Sequence, residues 1–126
     1  MNGRRLAPAT LALLLAGCAT FQGYDGPKRP ASELAIVSGS SKFSAHSPLA
    51  LIIRSVDERN VDVRYNSISL TPGKHRLIVD CHVGEEAGAA SRHTLDIDVE
   101  AGDRYGLAAQ MRPGNRSCES VTLESR

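Results

Sequence analysis

Three features of the sequence predict an all-β fold, a single small antiparallel β-sandwich of about seven strands. His93, Leu95, Ile97 and Val99 alternate with Thr94, Asp96, Asp98 and Glu100, the cleanest period-two run in the chain. Short apolar segments recur with turn residues between them roughly every 8–12 residues. Beyond residue 18, no stretch of ten or more residues repeats its apolar positions at the helical period of about 3.6.

The elements follow in chain order. Leu34 to Val37 is short and rich in branched residues, and Gly39, Ser40 and Ser41 end it. Leu49 to Val56 is the most apolar segment after the first 18 residues, and its lack of strict alternation predicts a central strand buried on both faces. Pro48 stands just before it, where a strand tolerates proline. Asp57, Glu58, Arg59 and Asn60 form a polar turn. Val61, Val63 and Tyr65 then alternate with Asp62 and Arg64, which predicts a half-exposed strand continued by Ile68 and Leu70.

Thr71, Pro72 and Gly73 turn the chain into Lys74 to Val83. There Leu77, Val79, Cys81 and Val83 share the inward face, opposite Arg76, Asp80 and His82. Gly84 to Ala90 reads as a loop with room for one helical turn. In the strand His93 to Val99 the outward acids guard against pairing with other chains. Ala101 to Asp103 turns the chain into Tyr105, Leu107, Ala109 and Met111. Arg112 to Asn115 holds Pro and Gly where a type II turn wants them, and Val121 and Leu123 close the domain.

The residues before this domain carry a different message. Arg4 and Arg5 precede an apolar run from Leu11 to Ala16, which ends in Leu15, Ala16, Gly17 and Cys18. This arrangement resembles a bacterial lipoprotein signal peptide closing in a lipobox. The resemblance implies cleavage before Cys18, diacylglycerol on its thiol and an N-acyl chain on its freed amine. No other cofactor is implied. Residues 1–17 are then a leader, 18–32 a lipidated cysteine with a flexible Gly- and Pro-containing tether, and 33–126 the sandwich. The leader run is far shorter than the roughly 20 residues a spanning helix needs, so the protein is expected to be anchored and not spanning. Two or three acyl chains suffice for that, at about 0.8 kcal/mol per buried methylene. By resemblance to the enterobacterial sorting rule, Ala19 directs the product to the periplasmic face of the outer membrane, with the inner membrane as the alternative.

Cleavage also sets composition. Removing 17 residues from 126 leaves 109, enough for one domain and a short tether. The full chain has 15 basic and 14 acidic side chains; without Arg4 and Arg5 the balance is 13 against 14, one net negative charge. A near-neutral chain with no block of like charge argues against a nucleic-acid partner. With no Trp, and only Phe43, Tyr65 and Tyr105 as aromatic residues expected within the folded part, the core must be filled by aliphatic side chains.

Lipidation of Cys18 leaves Cys81 and Cys118 as an even pair in an oxidising compartment, where a disulfide is the expected state over free thiols or metal ligands.

The run Ile68-Ser69-Leu70-Thr71-Pro72-Gly73-Lys74-His75-Arg76-Leu77-Ile78-Val79 resembles the core of PEGA-type domains, small surface-associated β modules. Ile52 to Asp57 and Val99 to Gly102 fit the same layout, so the likeness spans about half the chain, Leu49 to Gly102, without the Pro-Glu-Gly-Ala signature. It implies envelope structure, or contact with a protein or glycan partner, and no catalysis.

The residues that could form a site agree with that expectation. His46, His75, His82 and His93 are the groups suited to proton transfer near neutral pH, yet no Gly-x-Ser-x-Gly or other nucleophile signature accompanies them. Gly102 and Gly114 belong to no phosphate-binding pattern. Asp96, Asp98, Glu100 and Asp103 lack the compact loop that calcium favours and read as a solvated face. The alternative function is a small-ligand or copper/zinc carrier using His82 and His93, with Cys81. Strand period sets Cys81 and His82 on opposite faces, so one ion reaches both only across a bulge. The expected function is a lipid-anchored, non-enzymatic module that meets the membrane through its anchor and another envelope component through its sandwich.

Overall fold

The computed structural model describes residues 20–42, 49–84, 90–114 and 117–126. Its strands are β1 (Phe21–Gln22), β2 (Ala35–Ser38), β3 (Ser40–Lys42), β4 (Leu49–Val56), β5 (Arg59–Asn60), β6 (Ser67–Leu70), β7 (Gly73–Val83), β8 (Ala90–Val99), β9 (Arg104–Met111) and β10 (Cys118–Ser125). One 3-10 turn, Ala31–Glu33, precedes β2. Two sheets form, in the orders β1-β6-β2-β9-β10 and β3-β4-β7-β8, with β5 added to β4. The fold is an all-β sandwich.

One apolar cluster fills the space between the sheets. Leu51, Ile53 and Val56 of β4, Leu77, Val79 and Cys81 of β7, and Leu95, Ile97 and Val99 of β8 supply one side. Val37, Ile68, Leu70, Tyr105, Leu107 and Val121 supply the other. The alternation read in β7 and β8 is therefore a core face, as period-two sequences require when one face is buried. Gly39 is where the chain leaves one sheet for the other. Its amide donates to the Asn66 carbonyl at 2.8 Å, and a β-carbon there would collide with the Leu51 carbonyl oxygen, so only glycine lets the backbones approach.

Four sequence expectations are corrected. The first part of the expected tether, residues 20–24, is packed: β1 pairs in parallel with β6, and Tyr24 is buried, while residues 25–32 are exposed. Thr20 Oγ1 meets Ser67 Oγ at 3.0 Å, and the Tyr24 hydroxyl accepts from the Arg29 amide at 3.0 Å, so polar groups are satisfied without an apolar period. Phe21 and Tyr24 thereby join the aromatic residues of the domain. Val61 to Tyr65 is not a strand: the Tyr65 amide donates to the Asp62 carbonyl, and Asp62 Oδ1 accepts from the Arg64 amide, a local turn that takes the backbone out of any ladder. β4 is buried mainly on one face, its pattern interrupted by a bulge between Ile53 and Ser55. Finally, pairing is not wholly antiparallel, since β1 with β6 and β2 with β9 run parallel. Most of the loop predicted over Gly84 to Ala90 lies outside the described residues.

Candidate functional site

The most constrained surface feature is the β4–β5 hairpin. Val56 pairs with Arg59, so the loop has only two residues, and a tight hairpin of that length with the strands' twist demands positive φ at both. Asp57 and Glu58 adopt it, at φ 48° and 69°, although neither is glycine. A left-handed non-glycine residue costs roughly 1–2 kcal/mol, Asp somewhat less, so other contacts must hold this turn.

Those contacts run from Asp57 to the start of β7. The Asp57 amide donates to the Arg76 carbonyl at 2.8 Å, and the Arg76 amide donates back to Asp57 Oδ1 at 2.9 Å. His75 Nδ1 lies 2.5 Å from Asp57 Oδ2, and its Nε2 lies 2.7 Å from the Thr71 carbonyl oxygen. Both ring nitrogens are engaged by oxygen atoms, so the ring bridges the hairpin to the turn before β7. Partial burial pushes the Asp57 carboxyl up. The hydrogen bonds from His75 and the Arg76 amide, with the charges of His75 and Arg59, outweigh it and hold the group below its usual value. With Nε2 against a carbonyl, the imidazole has no free nitrogen to take a proton from a nucleophile. The pair latches the hairpin to β7.

The latch borders a shallow open depression of about 1060 Å³ on the outer face of the β4-β7-β8 sheet, lined among others by Glu58, Lys74, Arg76, Asp96 and Asp98. Register places Lys74 opposite Asp98, Arg76 opposite Asp96 and Asp80 opposite Arg92. Arg76 Nε donates to Asp96 at 2.8 Å. Asp80 is only 7% exposed and is flanked by two guanidinium groups, Arg54 Nε at 2.7 Å and Arg92 in a two-point contact at 2.8 and 3.1 Å. The hydrogen bonds from Arg92, and then those from Arg54, prevail over burial and bring its carboxyl down to about 2. This face alternates in sign and lacks the enclosed apolar walls of a small-molecule pocket. It suits polar contact with a macromolecular surface. A second, smaller opening of about 460 Å³ lies where edge strand β8 meets edge strand β10, with Leu95, Ile97, Val121 and Leu123 in its wall.

The residues singled out in the sequence distribute as follows. Cys18 and His46 lie outside the described residues. Cys81 and Cys118 are bonded, with Cα atoms 6.5 Å apart, and join β7 of one sheet to β10 of the other. His82 and His93 do not come together: His82 is opposite Ala90 and His93 opposite Val79, so they occupy opposite faces of the sheet. With Cys81 committed to the disulfide, these three side chains form no ligand set here. His93 Nε2 instead meets Ser91 Oγ at 2.9 Å. Asp96 is paired with Arg76, and Asp103 lies 3.5 Å from the Tyr105 hydroxyl. Among the described residues, no group of three His, Cys, Asp or Glu side chains converges on a point.

Sequence reasoning missed the Asp57–His75 latch and the Arg54–Asp80–Arg92 cluster. The first had a faint signal, a polar tetrad between two strands whose last two residues can pair again. The second depends on cross-strand register, which sets Ile52 of β4 and Arg92 of β8 opposite Asp80 with Arg54 two residues from Ile52, and register leaves no mark in the residue pattern. In comparisons with protein families, curated proteins and solved structures, the chain matches none.

Proposed function

We propose that this chain is a lipid-anchored, non-enzymatic envelope lipoprotein, held on the periplasmic face of the outer membrane, whose sandwich serves as a structural or interaction module. The observation that carries the reading is the spacing between the lipobox cysteine and the fold. Thr20 already bonds to Ser67 and Phe21 already pairs with Ile68. Only Ala19 lies between Cys18 and Thr20, so the two are at most about 7 Å apart along the chain at 3.3–3.6 Å per residue. A lipid on Cys18 therefore fixes the sandwich against the bilayer and leaves it no reach into the periplasm.

The surfaces such a module offers are the sign-alternating outer face and the edge strands β8 and β10, whose unpaired backbone groups accept an added strand. The likeness of Ile68–Val79 to PEGA-type modules supports the same class of role. The latched His75 speaks against acid-base chemistry at the best-formed cluster.

Fractionation of cells expressing the full chain and its Cys18→Ser variant tests the reading. The wild type is expected with membranes and the variant in the soluble fraction. A variant that still partitions with membranes overturns the anchor. For the partner, crosslinking in intact cells from a residue on the outer face, such as Thr94, is expected to capture an envelope component. Recovery of none, together with no envelope phenotype on deletion, counts against the interaction role.

A further inference from the structure

The short link between Cys18 and the fold constrains more than location. It also selects which part of the sandwich meets the lipid. We propose that the turn at residues 61–66, with Val63 at its tip, rests in the phospholipid headgroup layer as a second membrane contact that sets the orientation of the domain. This rests on the lipoprotein reading above.

Val63 is 68% exposed, the one exposed large hydrophobic side chain among the described residues. Its exposure is built in. The Val61 amide donates to the Arg54 carbonyl at 2.9 Å, the Arg64 amide to Asp62 Oδ1 at 2.9 Å and the Tyr65 amide to the Asp62 carbonyl at 3.0 Å. On the far side of the turn, the Asn66 carbonyl accepts from Gly39 at 2.8 Å. Bonds at both ends and across the middle hold the backbone, so Val63 projects from a fixed turn.

The same turn adjoins the point where the chain enters the fold. The Phe21 and Tyr65 rings meet edge to face with centroids 5.6 Å apart, and the Arg64 guanidinium lies 5.7 Å from the centre of the Tyr65 ring. Thr20, one residue before Phe21, is bonded to Ser67, just past the turn. A lipidated Cys18, no more than about 7 Å of chain from Thr20, brings this corner to the headgroup layer before any other.

The chemistry of the corner fits that location. Tyrosine and arginine place an apolar body toward acyl chains and a polar end toward phosphate and water, and both are at home in the interface. The acid in the turn, Asp62, is paired with Arg64 at 3.2 Å, so it presents no uncompensated negative charge. A single valine is a weak membrane signal beside two or three acyl chains. Its effect is on orientation, not on affinity. With this corner down, edge strand β8, separated from β5 by β4 and β7, stands away from the lipid and is open to a partner.

The chain has no tryptophan, so a single introduced one reports on its own position. The experiment uses the full lipidated protein, purified from membranes and placed in phosphatidylethanolamine/phosphatidylglycerol vesicles with or without brominated acyl chains. Lipidation of Cys18 is checked by mass in the same samples. Val63→Trp is expected to show blue-shifted emission that the brominated lipid quenches, while Thr94→Trp, on exposed β8, keeps its emission. Both positions are exposed, so neither substitution disturbs the core.

Unquenched Val63→Trp on a lipidated protein overturns this orientation and leaves the anchor standing. Equal quenching at both positions also overturns it, because the domain then tumbles at the surface. Emission that shifts with protein density but not with bromine assigns the corner to a second copy of the chain, again against the proposal. An unmodified Cys18 removes both this inference and the reading beneath it.

Discussion

β7 and β8, of 11 and 10 residues, pair from Gly73–Val99 through His82–Ala90 without a break, whereas β6 pairs with β2 from Ala35–Leu70 through Ser38–Ser67 and with β1 only at Phe21 and Gln22. The hairpin is local and antiparallel, one face in the core and the other a ladder of opposite charges. The β1-β6-β2 corner joins segments distant in sequence, and β6 is buried on both faces. Its serine hydroxyls have partners on the N-terminal arm: Ser67 meets the Thr20 hydroxyl, and Ser69 donates to the Phe21 carbonyl at 3.4 Å. Alternation and charge pairing specify the hairpin in its own sequence. The corner depends on the N-terminal arm arriving to cover it.

The disulfide joins the hairpin, through β7, to β10 at the far end of the other sheet from β1, and removing it is the largest perturbation expected. It closes a loop across a sequence separation of 37, which the chain-entropy estimate values at about 4 kcal/mol. Denaturant unfolding with and without reductant, or of the Cys81→Ser/Cys118→Ser protein, should show a loss approaching that size. An unchanged midpoint breaks the idea that the bridge ties the two sheets together.

Next come paired truncations, one in each region. Leu70→Ala in β6 and Leu77→Ala in β7, both fully buried, should each cost about 2–5 kcal/mol in the unfolding free energy. Hydrogen exchange separates them: Leu70→Ala should open the β1-β6-β2 corner first, while the β7–β8 amides stay protected until global unfolding. Equal loss of protection in both regions contradicts the contrast.

The charged face gives a pH signature. Asp80 has a carboxyl near 2 in the fold against 3.8 unperturbed. A depressed folded value means that the unfolded chain binds the proton more readily. The stabilisation is present above about pH 4 and is lost as pH falls through about 2, an order of 2 kcal/mol for this group. Asp80→Asn should remove that limb of an acid titration followed by circular dichroism. A variant with the wild-type acid midpoint would place the sensitivity elsewhere.

The smallest effect is a gain. Glu58 holds φ at 69°, where glycine carries no side-chain penalty, so Glu58→Gly should raise stability by about 0.5–1 kcal/mol, read as a higher unfolding midpoint. A loss instead would mean that the Glu58 side chain does more than its exposed position suggests.

The same contrast explains what the sequence disclosed. The inward faces of β7 and β8, the inward Cys81 and the Pro72–Gly73 turn could be read because each is encoded within a few neighbouring residues. Val61 to Tyr65 alternates just as well, yet forms a turn, since an Asp62 side chain that bonds its own backbone competes with any ladder. Phe21 to Tyr24 looks like linker for want of an apolar period but is held by partners more than 40 residues away. The buried Asp80 reads as an ordinary outward residue until strand pairing brings Arg54 and Arg92 from the two neighbouring strands beside it. His75 is legible as a histidine after a turn, but its latch requires the unusual backbone of Asp57.

The claim on which the functional account turns is the chemical state of Cys18, and intact mass of the membrane-purified protein measures it directly. The account predicts a chain that begins at Cys18, carries two or three acyl chains on that residue, and holds Cys81 and Cys118 unreactive to alkylation until reduced. A chain that retains residues 1–17, or that exposes a free thiol at Cys18, would contradict it.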